Sequence, residues 1–174
     1  MIEFYLCGGV TNMLKVGRVI DEMILYYSGD ARRIQHFLKV YGFAKAIGEG
    51  ENLPSQLQEI LEVSAVVHDI GIKVSEEKYN SSSGEYQQIE GPQVAKDMLT
   101  KLGYEEGFID RVCYLIAHHH TYNKIDGLDY QILVEADFLV NISEDGMKTG
   151  VINSIKDRIF RTKTGLDFIM RIYL

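Results

Sequence analysis

Ser64-Ala65-Val66-Val67-His68-Asp69-Ile70-Gly71 is an apolar helical run that ends in an imidazole beside a carboxylate. Packing gives no reason for that ending. Both groups are costly to bury unless they are paired, hydrogen-bonded or bound to a metal. A neutral imidazole nitrogen next to a carboxylate oxygen suits a divalent first-row metal. The dipeptide alone equally fits a helix C-terminus whose His meets the last carbonyls. What the rest of the chain brings to this point decides between the two.

Working outward, the apolar spacing is helical almost throughout. Pro54 sits in the first turn of the helix that carries Leu57, Ile60, Leu61 and Val67 into His68-Asp69. Upstream, Met13, Val16, Val19, Ile20, Met23 and Ile24 mark a helix over 12–28, ending near Gly29. Asp30 then reads as the N-cap of a helix from Ala31 to about Ile47, closed by Gly48 and Gly50. Downstream, Pro92 is expected to open a helix ending at Gly103. Another runs from about Gly107 to the triplet His118-His119-His120, and a further one from Asp129 to about Ile142. Two short helices follow within 147–174. Ile2 to Leu6 is the one strand-like candidate. Lys73 to Ile89 shows no helical stripe and reads as an irregular loop, either a functional lid or a surface excursion. The fold class expected is all-α: a single domain over 1–174, a bundle of about six to eight helices.

The 174 residues suffice for one well-buried core, and 46% apolar with 25% charged residues is an ordinary globular balance. A net charge of −7 argues against broad nucleic-acid binding, which needs a basic face. No run approaches the roughly 18 to 20 apolar residues that span a bilayer. Cys7 and Cys113 lack a paired spacing and the start lacks a signal-peptide pattern, so a reduced, cytoplasmic setting is expected.

Two further polar residues interrupt helices. His36 lies in the middle of the second helix, on a mixed face with Arg32, Arg33, Lys39 and Val40. Asp137 breaks the apolar sixth helix one turn from Leu133 and Val140, on its core side. A buried aspartate there must be paired, capped or metal-bound. Three anomalies on three core-facing helices are accounted for together by one shared metal.

This order of residues resembles the HD-domain superfamily of metal-dependent phosphohydrolases: His36, then His68-Asp69, then a distant Asp137. Arg33-x-x-His36 and Ala65-Val66-Val67-His68-Asp69-Ile70-Gly71 are similar to the family's text, and the resemblance covers about 30–143. It implies a metal held by His36, His68, Asp69 and Asp137. Binuclear members add a His before the fourth helix and one or two at the end of the fifth. His118 and His119 match the second place, with His120 expected outside. The first place is occupied by Glu90, which serves either as a ligand or as a base. The resemblance thus implies one or two divalent ions, from among Mn, Fe, Co, Ni, Zn and Mg.

A divalent ion with open positions lowers the pKa of bound water to about 7 and polarises a phosphoryl oxygen. The expected substrate is therefore a small phosphorylated molecule, with a nucleotide the first class to consider. Asp69 would bridge two ions, Glu90 would assist, and Arg33 and Lys73 are the candidate phosphate cations. Among the 11 tyrosines, Tyr79, Tyr86 and Tyr122 are placed to stack a base or shape a pocket. The competing readings are a di-iron oxygenase of the same architecture and a non-catalytic ligand-sensing module. No membrane association is expected, and self-association into a homo-oligomer stays open.

Overall fold

The computed structural model describes residues 10–174, with side chains from Val16 onward. The strand candidate Ile2 to Leu6 and Cys7 lie outside the described residues. Within them there are nine helices and no strand: α1 Val10–Tyr26, α2 Ala31–Gly50, α3 Ser55–Val67, α4 Ile72–Tyr79, α5 Gly84–Leu102, α6 Glu106–His118, α7 Leu128–Glu144, α8 Thr149–Ile159 and α9 Lys163–Tyr173. None of these is long and apolar enough to cross a membrane.

Asp30 caps α2 by accepting from the Arg33 backbone N–H at 3.1 Å. The helix does not stop at Gly48. A side chain there would collide with Gln58 and Leu61 of α3, so the glycine serves close packing of the two helices. α7 is the spine: Asp129 through Asp137 are all buried, and the helix packs against α2, α3, α8 and α9. α5 and α6 pair with each other, α6 against α3, and α1 covers α3 and α5. Phe37, Leu61, Leu99, Leu115, Ile116, Ile132 and Leu133 fill the fully buried core between them.

The segment Lys73 to Ile89 is largely helical, contrary to its reading as an irregular loop. α4 occupies 72–79, and only Asn80 to Ser83 separate it from α5. Its stripe is invisible because α4 touches the interior mainly through Ser75. The inward positions of early α5 are likewise polar or small, namely Gln87 and Gly91. Pro92, expected at a helix start, lies inside α5, and its carbonyl accepts from the Cys113 thiol at 3.2 Å. α4 is the element that takes the count past eight.

The turn after His68-Asp69 is pressed against α5. A side chain on Gly71 would sit 2.7 Å from the Gln87 carbonyl oxygen and 2.7 Å from the Gly91 nitrogen. Tyr27, just after α1, locks the same turn by donating its hydroxyl to the carbonyls of Asp69 at 3.2 Å and Ile70 at 3.1 Å. In the middle of α7, the fully buried Glu135 carboxylate accepts from Gln131 Nε2 at 2.7 Å, Arg161 N at 2.6 Å and Thr162 N at 3.0 Å, and from the Thr162 hydroxyl. Those donors satisfy the charge and pin the α8–α9 turn onto the spine.

Candidate metal centre

His36 from mid-α2, His68-Asp69 from the end of α3 and Asp137 from mid-α7 come together where these helices cross. His68 is 1% exposed and Asp137 7%. Each imidazole is fixed by its Nδ1. His68 Nδ1 donates to the Ala65 carbonyl at 3.0 Å, and His119 Nδ1 to that of Ile116 at 2.9 Å. A carbonyl only accepts, so both Nδ1 atoms carry the proton and both Nε2 atoms present lone pairs. His36 Nδ1 bonds Glu144 Oε2 at 3.0 Å. Such partners orient a ligating ring and raise its basicity. Glu144 had no signal as an isolated acid; it falls in the last turn of α7, where only the folded pairing with α2 brings it to His36.

The atoms so aimed are all acceptors. His36 Nε2 lies 3.3 Å from His68 Nε2 and 3.4 Å from Asp137 Oδ1, and His68 Nε2 lies 3.5 Å from Asp69 Oδ2. His119 Nε2 faces Asp69 Oδ1 at 3.1 Å. Acceptors converge stably only on a cation, whether proton or metal. His36, His68 and Asp69 form one group able to hold an ion, and Asp69, His119 and His120 form another. Asn141 steadies Asp137 by donating to Oδ1 at 2.9 Å. The nitrogen-and-carboxylate donor set fits a divalent first-row ion.

Electrostatics point the same way. Burial discourages charge on His36, yet Asp137, Asp69 and Glu144 outweigh it and raise its pKa to about 9. His68 is likewise raised by Asp69 and Asp137 against its burial. Burial also opposes charge on Asp69, but His68 and His119 bring its pKa down to about 2. Asp137 is held well below the usual carboxylate range by His36 and His68. Without another cation, protons neutralise the centre.

The triplet departs from expectation. His119 reaches the cluster with His120, not with His118. His118 ends α6 with Nδ1 on the Tyr114 carbonyl at 2.7 Å and its ring stacked on Tyr114 at 4.3 Å. The chain leaves helical geometry just after it, so the 100° spacing that sets His118 and His119 together no longer governs His120. Tyr130, donating to the carbonyls of His118 and Thr121, holds that turn. Gly84 at the start of α5 lies against the His120 ring, where any side chain would overlap it.

Glu90 belongs to neither group of ligating atoms. Its carboxylate is taken by Lys78 Nζ at 2.6 Å and the Tyr79 hydroxyl at 2.7 Å, and both hold its pKa below the ordinary value. Lys73 also turns away: its ammonium meets the Tyr26 carbonyl at 3.2 Å and lies over the Tyr26 ring. Arg33 does face the site. It lines a cavity of about 430 Å³ with Arg32, His36, Asp69, Ser82, Gln87 and Glu144, while Asp30 and Glu76 hold its guanidinium at 3.0 and 2.6 Å. Tyr79 and Tyr86 stack on each other at 4.2 Å, and Tyr122 packs on Phe138. Gln87 is a cavity residue with no sequence signal, since a polar residue on an unrecognised helix shows no period; Arg32, on the recognised α2, is placed by the sequence only on the mixed face of His36.

The chain is similar over most of its length to a solved structure, described as a predicted HD superfamily hydrolase from an uncultured Thermotogales bacterium. The TM-score is 0.64 at 21% identity, with 93% of this chain and 85% of the other covered. No functionally curated protein matches it. The sequence pattern of the HD domain matches residues 33–152, a span that begins within α2 beside His36 and passes beyond Asp137. With that match extending over well over half of its residues, and with His36, His68-Asp69 and Asp137 meeting inside the matched span, the chain belongs to the HD domain family.

Proposed function

We propose that this protein is a metal-dependent hydrolase that cleaves a phosphoester of a small molecule, with a nucleotide the first class to test. The observation that carries the reading is the convergence of acceptor atoms from His36, His68, Asp69 and Asp137 at a cavity that His36 and Asp69 line together with two arginines. These four residues would hold the ion. When bound, a divalent ion supplies Lewis acidity toward a phosphoryl oxygen and lowers the pKa of water to about 7.

The protein's own groups do the rest. Glu144 and the Ala65 carbonyl hold the rings of His36 and His68 in the tautomers that leave Nε2 free. Arg33, kept rigid by Asp30 and Glu76, offers a preorganised guanidinium edge to the substrate anion, and Arg32 adds a second positive charge beside it. A pocket of about 430 Å³ suits a ligand the size of a mononucleotide. The description of the Thermotogales protein as a hydrolase is in keeping with this reading.

The test is phosphate release from nucleoside monophosphates, dinucleotides, cyclic nucleotides and an aryl phosphate. The expected activity needs a divalent ion, stops with chelator, and drops roughly a hundredfold or more in Asp69→Ala. Metal-loaded protein that hydrolyses none of the panel sinks the proposal. Oxygen consumption by the ferrous form would then favour the oxygenase.

A further inference from the structure

We infer that Gln87 supplies the amide oxygen of a second cation site, completed by Asp69, His119 and His120. The inference rests on the metal-centre reading above and adds to it a ligand from α5.

Two buried atoms on the residues around this cavity and Asp69 have no hydrogen-bond partner among the described residues: Gln87 Oε1 and His120 Nε2. Gln87 is 7% exposed, and its Nε2 donates to the Ser82 carbonyl at 2.7 Å, which fixes the amide with its oxygen as the unmatched end. An acceptor buried without a partner is destabilising, so each of the two calls for a donor or a cation.

Their positions are set by close packing. The Gln87 backbone lies against Gly71, two residues after Asp69. One turn earlier on the same face of α5, Gly84 lies against His120. Gln87 is therefore placed between the turn that carries Asp69 and the imidazole of His120, and it lines the same cavity as Asp69. His120 Nε2 is 3.8 Å from Asp69 Oδ1, and His119 Nε2 is 3.1 Å from it.

The donor set is two imidazoles, one carboxylate and one neutral amide oxygen. A neutral, hard oxygen binds more weakly than an imidazole and tilts preference toward Mn²⁺ or Mg²⁺ over Zn²⁺. The second ion is thus the looser of the two.

Mn²⁺ titration of apo protein, followed by electron paramagnetic resonance and calorimetry, tests the idea without any turnover. Wild type is expected to show a tight and a weak class. Gln87→Leu should keep the tight class and weaken the other roughly tenfold or more. Gln87→Glu should bind the weak ion at least as well as wild type, although it loses the donor to Ser82. Gln87→His should move the weak site's preference toward Zn²⁺. A purely structural role would impair all three variants alike, and thermal melts of the apo proteins read that directly. An unchanged weak class in Gln87→Leu, or a single class in wild type, overturns the proposal and leaves the primary centre standing. Absence of any tight class overturns the metal-centre reading itself.

Discussion

His36 meets the centre through Nε2 and Glu144 through Nδ1, so its basicity is set from both sides of one ring. With its pKa raised to about 9, this imidazole holds a proton at neutral pH that an incoming ion must displace. The sign follows: apparent metal affinity climbs as pH rises toward about 9 and levels off above it. Calorimetry in buffers of different ionisation heat should register proton release at about pH 7.5 and little at about pH 10. Affinity that is flat across this window would contradict the assignment. Glu144→Gln keeps an acceptor but removes the charge. It should weaken binding roughly 10- to 100-fold and move the levelling-off point to lower pH.

At the scale of elements, the fit of the α3–α4 turn against α5 is controlled by Gly71. An alanine there meets two backbone atoms of α5, Gln87 O and Gly91 N, each at 2.7 Å, which no rotamer can relieve. Gly71→Ala is expected to cost about 1–3 kcal/mol by overpacking. Because the strain falls beside Asp69, metal affinity should drop with it; urea unfolding and metal titration check the pair. A variant as stable as wild type would mean that α5 slides freely. The same region shows what the sequence could carry. Helices with an apolar stripe, such as those bearing His36, His68 and Asp137, are legible because burial imposes a period of 3.6 on them. α4 and the start of α5 are not, because their inward residues are Ser75, Gln87 and Gly91, chosen to meet a turn and a cavity instead of a core. The site divides along that line. His36, His68, Asp69 and Asp137 stand out as polar breaks in apolar stripes, whereas Glu144 and Gln87 are polar residues in polar settings. His120 takes the place that helical spacing gives to His118, because that spacing does not hold for the two residues beyond the end of α6.

Across the whole molecule, α7 joins the site to the C-terminal helices through one buried carboxylate. Glu135→Ala strips the Arg161 and Thr162 backbone N–H groups of their acceptor at once. A loss of about 3 kcal/mol is expected in denaturant titration, with Glu135→Gln recovering part of it. A change within about 0.5 kcal/mol would show that α8 and α9 are held by apolar contact alone. α7 also has a consequence for how the molecule comes into being. His36 and Glu144 touch across 108 positions of chain, and Asp137 arrives on the same late segment. Closing so long a loop is an entropic step that local helix formation cannot bypass. On the ribosome, then, His68 and Asp69 emerge early as a two-toothed chelator with little grip. The donor set is complete only when α7 slots in, so full hold on an ion waits on the docking of a helix made long after His36 and His68.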